Sequence, residues 1–255
     1  MAKVDVGDPA RTLALLWRED ETGTAPRGPR PGLSVDQVVT SAIAIADAEG
    51  LPAATMRRVA QALDVAPMTL YTYVPGKTEL LDLMLDRVYA HMPRTELGQA
   101  HWRQRAETVA RDNYALYQRH PWAATVSASR PPLGPGLMAK YEHELGAFVG
   151  LGLDDVEIDA ALTFLLTFVQ ASARAWLAAS AARTQSAMTD EQWWARSEPY
   201  LARVFDQARY PLAARVGAAA GAAYRGAFSP DHAYEFGLQR VLDGLSVLID
   251  RRVES

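Results

Sequence analysis

The segment 67–77, PMTLYTYVPGK, restricts the possible folds of this chain more than any other. Its β-branched and aromatic residues, from Thr69 to Val74, have the composition of a β-strand. A single strand would leave its backbone N–H and C=O groups without partners, and the neighbouring sequence offers no second strand. Pro67 suits the first turn of a helix, because the N–H that it lacks is not needed there. We therefore predict a short helix, and an all-α fold.

Signals for helix starts recur along the rest of the chain. Ser34 and Gln37 have the spacing of a capping box, and so do Asp154 and Glu157. Apolar residues repeat at helical spacing between these signals and the stop signals that follow them. Helices are predicted near 12–17, 34–50, 55–63, 77–91, 101–119, 136–149, from 154 onward, 190–209 and from 230 onward, with an Ala/Gly-rich stretch at 216–227.

Composition narrows the class of protein. The chain has 255 residues, of which 49% are hydrophobic and 22% charged, as expected for a soluble globular protein. It has no cysteine, which excludes disulfides and thiolate metal sites and fits a reducing cytoplasm. The N-terminus lacks the pattern of a signal peptide. The apolar stretch 160–173 is interrupted by polar residues, so we expect a buried helix and no membrane partner.

Two short helices separated by a three-residue turn predict a helix-turn-helix. The helix at 55–63 ends at the turn 64–66, the next helix starts at Pro67, and the helix at 34–50 braces both. If Leu70 faces the core, the side chains expected to face solvent are Thr69, Tyr71, Thr72 and Tyr73. Exposed tyrosines on a two-turn helix indicate a surface that binds a partner.

Lys77 supplies a second indication of DNA binding. A cation at the start of a helix is disfavoured by the helix dipole by about 0.3–1 kcal/mol. A phosphate beside it reverses that sign, because the free N–H groups and the lysine then bind one anion. The net charge of −4 does not predict a nucleic-acid partner, so this prediction depends on local geometry.

Residues 32–86, GLSVDQVVTSAIAIADAEGLPAATMRRVAQALDVAPMTLYTYVPGKTELLDLMLD, resemble the DNA-binding domain of the TetR family of transcriptional repressors. Residues 234–249, YEFGLQRVLDGLSVLI, are similar to the last helix of its tetracycline-repressor branch, and RGPRPGLS resembles branch members with N-terminal extensions. Two positions depart from the family pattern. Asp64 stands where the turn usually has glycine, and Thr72 stands where relatives often carry a longer side chain.

The resemblance implies a homodimeric repressor that a small-molecule effector releases from a palindromic DNA operator. It implies three regions: an N-terminal extension and linker at 1–32, a DNA-binding domain at 33–78, and a helical ligand-binding and dimerisation domain at 79–255. Arg57 would contact a base or phosphate, and Tyr71 and Lys77 would bind phosphates. The residues expected to face the major groove are Met68, Thr69, Thr72 and Tyr73.

The last helix is the expected dimer interface. Leu238, Val241, Leu245 and Leu248 form a heptad-like stripe, and the nearby glycines 237 and 244 would let another backbone approach. The alternative is that the same stripe packs inside one subunit.

The middle helices combine aromatic residues with scattered polar ones, as a pocket for an amphipathic or aromatic ligand requires. Ordinary core packing would explain most of these aromatics as well. The polar candidates are favoured because a buried amide or hydroxyl needs a hydrogen-bonding partner. The candidate ligand-binding residues are Asn113, Tyr117, Trp122, His143, Phe164, Thr167, Gln170 and Arg174.

Two other classes compete with a regulator: an all-α enzyme of small-molecule metabolism, and a helical adaptor that binds no DNA. The acidic run 154–159, DDVEID, resembles a metal-diphosphate site only in composition, since helix capping explains its acids. The sequence contains no G-x-S-x-G, phosphate-loop or H-E-x-x-H motif. The five histidines lack metal-ligand spacing. We therefore expect no catalytic residues, no metal and no cofactor.

Overall fold

The computed structural model describes residues 9–18, 32–126 and 131–253, and throughout these ranges its regular structure is helical. Twelve α-helices and one 3₁₀ turn at Leu51–Ala53 make up this part of the chain, which confirms the predicted all-α class. The helices are α1 (Pro9–Leu16), α2 (Val35–Glu49), α3 (Met56–Ala62), α4 (Pro67–Tyr73), α5 (Lys77–Ala90), α6 (Trp102–Arg119), α7 (Pro121–Thr125), α8 (Pro135–Leu145), α9 (Asp155–Ser186), α10 (Asp190–Val204), α11 (Pro211–Tyr224) and α12 (Pro230–Val253).

The predicted helix starts are confirmed by their hydrogen bonds. Ser34 forms both bonds of a capping box with Gln37, and Asp154 does the same with Glu157. The segment that resembles a strand is α4, with proline in its first turn. At α12 the N–H of His232 donates to the Ser229 hydroxyl oxygen over 3.3 Å.

Some elements differ from the prediction. Helix α7 and the 3₁₀ turn at Leu51–Ala53 were not predicted, because each is too short to show helical periodicity. Helix α9 continues for 32 residues, and α10 ends at Val204, short of the predicted boundary at 209. Most of the predicted extension and linker, residues 1–8 and 19–31, lies outside the described residues.

Helices α2, α3 and α4 enclose a small core. Val38, Val59, Leu70 and Val74 are fully buried in it. Leu70 therefore faces the core as predicted, which fixes the opposite face of α4 toward solvent.

The N-terminal helix α1 packs against α5. Leu16 is buried there, and the Trp17 indole N–H donates to the backbone oxygen of Leu133 over 2.8 Å. The Asp36 carboxylate on α2 pairs with both Arg18 and Arg87, the second over 3.0 Å. The first helices are thus connected to the larger helical body at the middle of α5.

That body is built around α9, which packs on α6, α7, α8 and α12. By length and composition α9 could cross a membrane. Leu162, Leu165 and Val169 are buried against its neighbours, but only 28% of its most apolar window is buried, so the expected buried helix is only partly covered. Helices α10 and α11 pack less closely: α10 buries none of its residues and α11 buries only Gly221.

Candidate DNA interface and ligand cavity

The turn between α3 and α4 is tight and depends on one residue with an unusual backbone conformation. Asp64 has φ 54°, in the left-handed region that favours glycine and that aspartate tolerates better than most residues. The N–H of Val65 then returns to the carbonyl of Ala60 over 3.1 Å. Aspartate at this position therefore supports the turn that glycine usually provides.

Helix α4 presents a continuous exposed surface. Met68 is 75% exposed and Tyr71 43% exposed. Thr69 and Thr72 are exposed as well, whereas Tyr73 is partly buried. These side chains lie on one side of a helix whose other side is fixed in the core, so they form an exposed surface of fixed geometry.

Two basic residues flank this surface. Arg57, on α3, is exposed. Its neighbour Arg58 is tied to Glu49 over 2.8 Å and is less available to a partner. Lys77 is exposed at the first position of α5, and the cap residue Gly76 offers no side-chain acceptor to the first-turn N–H groups. Lys77 and those N–H groups can bind one phosphate together.

A cavity of about 350 Å³ lies in the larger helical body. Helices α5, α6, α8 and α9 and the segment before α8 form its walls. Most of its surface is aliphatic or aromatic, with hydroxyl, amide and ammonium groups between. The described lining residues are Leu85, Tyr89, Tyr117, Val126, Pro131, Pro132, Leu133, Leu137, Met138, Lys140, Tyr141, Thr163, Leu166, Thr167 and Gln170.

A buried polar network adjoins this cavity. The Lys140 ammonium donates to the Glu144 carboxylate over 2.7 Å, and the Asn113 amide donates to the other oxygen of Glu144. All three side chains are buried, with Lys140 at the cavity wall. Asn113 also donates to the carbonyl of Val109 over 2.9 Å. The sequence predicted a ligand as the partner of the Asn113 amide; in the structure the amide N–H groups bind a carboxylate and a carbonyl of the same chain.

Two tyrosines complete the polar part of the wall. Burial raises the pKa of Tyr89 to about 12, and burial also raises the pKa of the Tyr117 hydroxyl. Nearby Glu144 adds to both pKa shifts, because a second negative charge beside it is unfavourable. Both hydroxyls therefore remain neutral near pH 7 and can donate hydrogen bonds to a ligand.

The structure brings three of the predicted ligand residues to the cavity: Tyr117, Thr167 and Gln170. Gln170 donates to the carbonyl of Val126 over 3.1 Å, which fixes one side of the wall. Arg174 lies beside this wall, with its Nε donating to the carbonyl of Ala124 over 2.6 Å.

The other predicted ligand residues lie away from the described cavity lining. Trp122 is buried, and its indole N–H donates to Asp47 on α2 over 2.7 Å, so it joins α7 to α2. Phe164 is 53% exposed on the outer side of α9. The ring of His143 is partly buried, and its Nε2 has no hydrogen-bond partner among the described residues.

Sequence reasoning missed Lys140 and Tyr89. The signal available for Lys140 was its i, i+4 spacing from Glu144 on one helix, a spacing that usually marks an exposed ion pair. Tyr89 lies on α5, within the predicted ligand-binding region, but it was not among the candidate ligand-binding residues.

Helix α5 is joined to α8 by a carboxylate. Asp86 is buried on α5, and its oxygens accept the N–H groups of Gly136 and Leu137 over 3.1 and 2.9 Å. These are first-turn N–H groups of α8, so a side chain of one helix caps the other. Burial raises the pKa of Asp86, although both of these hydrogen bonds oppose the shift.

The structure assigns most of the predicted dimer stripe to the core of the subunit. Leu238, Val241 and Leu245 are buried within the chain, where α12 packs on α9, and Leu248 is partly buried. The stripe therefore packs mainly inside one subunit, which was the alternative to a dimer interface. The two glycines of α12 differ in the same way: Gly237 faces the interior of the subunit and Gly244 faces outward.

A Cβ on Gly237 would come within 2.6 Å of the Phe168 ring, whereas Gly244 has no neighbour within 4 Å. The outward side of α12 carries the exposed residues Phe236 and Val247.

Comparison with known proteins identifies the family to which the chain belongs. Residues 38–84 match the model of bacterial regulatory proteins of the tetR family, and residues 93–249 match the tetracyclin repressor-like C-terminal domain. The chain therefore belongs to the TetR family of DNA-binding transcriptional regulators, as the sequence predicted.

Particular relatives are similar over nearly the whole chain. The HTH-type transcriptional repressor DrrR1 of Streptomyces coeruleorubidus is 45% identical over 249 residues, covering 96% of this chain and 88% of the relative. Among solved structures, ActR of Streptomyces coelicolor in complex with actinorhodin has a TM-score of 0.68 at 26% identity, covering 85% of this chain and 96% of ActR. ActR in complex with (S)-DNPA has a TM-score of 0.67 at 27% identity, covering 86% of this chain and 99% of ActR.

Proposed function

We propose that this regulator is a homodimeric repressor that leaves a palindromic operator when a small molecule occupies the cavity described above. The similarity to the repressor DrrR1 supports repression, and the ligand complexes of ActR support control by a small molecule. It acts by binding alone, without catalysis, and works in the cytoplasm.

The proposed DNA-binding surface consists of α4 and its two basic neighbours. Met68, Thr69 and Thr72 are exposed on α4 and would enter the major groove, with Tyr73 at its edge. Tyr71 would bind the phosphate backbone. Arg57 and Lys77 would add phosphate or base contacts on either side.

One observation carries the proposed mechanism: α5 belongs to both sites. It begins at Lys77 beside the DNA-binding surface, and Leu85 and Tyr89 on the same helix line the cavity. Asp86 also caps α8, which supplies Met138 and other residues to the cavity wall. A ligand that separates or rotates α8 would therefore move α5 and the DNA-reading helix.

The proposed dimer uses the outward side of α12 together with α9. Phe236, Val247 and Phe164 are more than half exposed there, and Gly244 leaves room for a second backbone. A two-fold axis through this surface would place two copies of α4 on half-sites about 34–36 Å apart.

We assign residues 1–32 to the extension and linker, 33–78 to DNA binding, and 79–255 to ligand binding and dimerisation. The cores support a boundary near α5. Leu70 and Val74 are buried with α2 and α3, whereas Leu85 on α5 faces the cavity.

The test uses the DNA upstream of the protein's own gene, in a gel shift or fluorescence anisotropy titration at several salt concentrations. Tyr71→Ala and Lys77→Ala should each weaken binding about tenfold. Lys77→Ala should also reduce the salt slope by about one, because it removes a cation, whereas Tyr71→Ala should leave the slope unchanged. Tyr200→Ala is the matched control, because Tyr200 is 68% exposed on α10, away from the DNA-binding surface.

Dimerisation is measured in parallel by sedimentation. Both α4–α5 variants should remain dimeric. The absence of specific, salt-sensitive binding by the unaltered protein would refute the proposed function. A DNA-binding defect in Tyr200→Ala equal to that of Tyr71→Ala would refute the proposed surface.

A further inference from the structure

We infer that the effector is an apolar, ring-containing molecule that bears an acidic group, a carboxylate or an ionised phenol, and that Lys140 binds this group. The inference rests on the proposed function in taking the cavity as the effector site. It adds the chemical class of the ligand and the residue that selects it.

The charge of the cavity wall is the first observation. Lys140 is the one charged side chain among the described lining residues. Its partner Glu144 is only 2% exposed and does not belong to that lining, so it lies behind the lysine as seen from the cavity. A ligand therefore meets the positive end of this ion pair. A cationic ligand would meet a like charge there.

The bonding of Lys140 is the second observation. An ammonium group has three N–H donors, and within the described part of the chain Nζ makes one hydrogen bond, to Glu144 over 2.7 Å. Nζ also lies 5.4 Å from the centre of the Tyr89 ring. Lys140 can therefore keep its internal carboxylate and donate to an acidic oxygen of a ligand. Glu144 competes for the same ammonium, so the binding strength depends on both residues.

The other polar groups of the wall agree with such a ligand. Tyr89 and Tyr117 line the cavity beside Lys140 and are neutral hydroxyl donors near pH 7. Leu85, Leu137 and Leu166 supply apolar wall for the remainder of the molecule. A volume of about 350 Å³ is enough for a flat molecule of three fused rings.

Two probes that differ in one group test the class. Anthraquinone-2-carboxylate and anthraquinone-2-carboxamide share rings and shape, and only the first is ionised at pH 7. Isothermal titration of the full-length dimer should show the carboxylate binding at least about tenfold more tightly than the carboxamide.

Variants then assign the preference to Lys140. Lys140→Met alone would leave the buried Glu144 without its partner and can unfold the protein. The double variant Lys140→Met/Glu144→Gln avoids this, because it removes both charges and keeps the Asn113 hydrogen bond. It should bind the two probes with equal affinity. Glu144→Gln alone removes the competing carboxylate, so it should bind the carboxylate more tightly than the unaltered protein does. Thermal unfolding identifies the folded variants.

The outcomes separate this inference from the proposed function. Equal affinity of the unaltered protein for both probes, or no binding of either, would overturn the acidic class. An undiminished preference for the carboxylate in the double variant would overturn the assignment of that preference to Lys140. If the carboxamide nevertheless releases the operator DNA, the proposed repressor function holds although the acidic class is wrong. If the carboxylate binds through Lys140 and the operator complex is unchanged, the acidic class stands and the proposed release mechanism fails.

Discussion

The contact between α5 and α8 can be tested by adding one methyl group. Gly136 lies at the second position of α8, directly against α5. A Cβ at this position would lie 2.9 Å from the Ala90 backbone nitrogen and 3.0 Å from the Ala90 Cβ, and closer still to the backbone oxygen of Asp86. Ordinary contacts of a Cβ are 3.4–4 Å. Because the nearest atoms belong to the backbone, Gly136→Ala must move one whole helix relative to the other.

The expected effect combines two opposing contributions. Overpacking of a tight contact destabilises a fold by about 1–3 kcal/mol. Replacing a helical glycine by alanine stabilises the helix by up to about 1 kcal/mol. Because the closest approach is to a backbone oxygen, the overpacking should lie at the upper end of its range. The net loss should therefore be about 2 kcal/mol, which lowers Tm by about 4–8 °C for a chain of this size.

The assay is thermal unfolding followed by circular dichroism, with Gly217→Ala as the matched control. Gly217 lies inside α11 and has no neighbour within 4 Å, so the same substitution should leave Tm unchanged or raise it slightly. Operator affinity is measured on the same samples and should fall for Gly136→Ala alone, since α5 carries Lys77. A Gly136→Ala protein as stable as Gly217→Ala, with unaltered operator affinity, would refute the close packing of α5 on α8.

Two further predictions concern carboxylates on α5. Asp86→Ala removes the acceptor of two first-turn N–H groups of α8, so it should lower Tm. It should also reduce the factor by which anthraquinone-2-carboxylate weakens operator binding. An unchanged factor in anisotropy titrations would contradict a coupling role for Asp86. Burial, with a smaller contribution from Glu79, raises the pKa of Asp82 to about 6 from 3.8, so the folded state binds its proton more tightly than the unfolded state does. The stability from this residue is present below about pH 4 and is lost as the pH rises through 6; Asp82→Asn should therefore gain Tm over the unaltered protein at pH 7, and the gain should vanish near pH 4.

The DNA-binding half could be predicted because its signals are local. Pro67 and the absence of a partner strand identified α4, although residue composition alone favoured a strand. Ser34 and Gln37 marked the start of α2 through their spacing, and the capping box is present. Helix spacing then predicted that Leu70 faces inward. Each inference needed only residues a few positions apart, where chain geometry is fixed by the helix itself.

The ligand cavity could not be predicted in the same way, because helices far apart in sequence form it. Thr167 and Gln170 point into it from α9, whereas Phe164 on the same helix faces outward. Helical periodicity separates these faces but does not show which neighbour covers each one. Trp122 shows the limit most clearly, since its partner Asp47 is 75 positions away in the sequence.

Helix α12 posed a similar problem, with apolar residues on two sides. Leu238, Val241 and Leu245 satisfy the heptad spacing that predicts pairing between helices, and α9 of the same subunit satisfies that pairing. Phe236 and Val247 interrupt the polar side and are each more than half exposed. Spacing identifies an apolar stripe in both cases, and only the packed structure distinguishes the inner stripe from the outer one.

The position of Asp86 would explain how a ligand in the cavity affects the proposed DNA-binding surface. Ligand and operator must weaken each other by the same factor, because both act on one conformational equilibrium. To change operator occupancy from 99:1 to 1:99, a ligand must favour the released conformation by about 5.5 kcal/mol. Contact with a flexible loop could not transmit this energy, since the loop would yield first. Asp86 joins α5 to the backbone of α8 by two hydrogen bonds, and Gly136 leaves no space between these helices. A displacement of α8 by a ligand must therefore either break this junction or carry α5 with it.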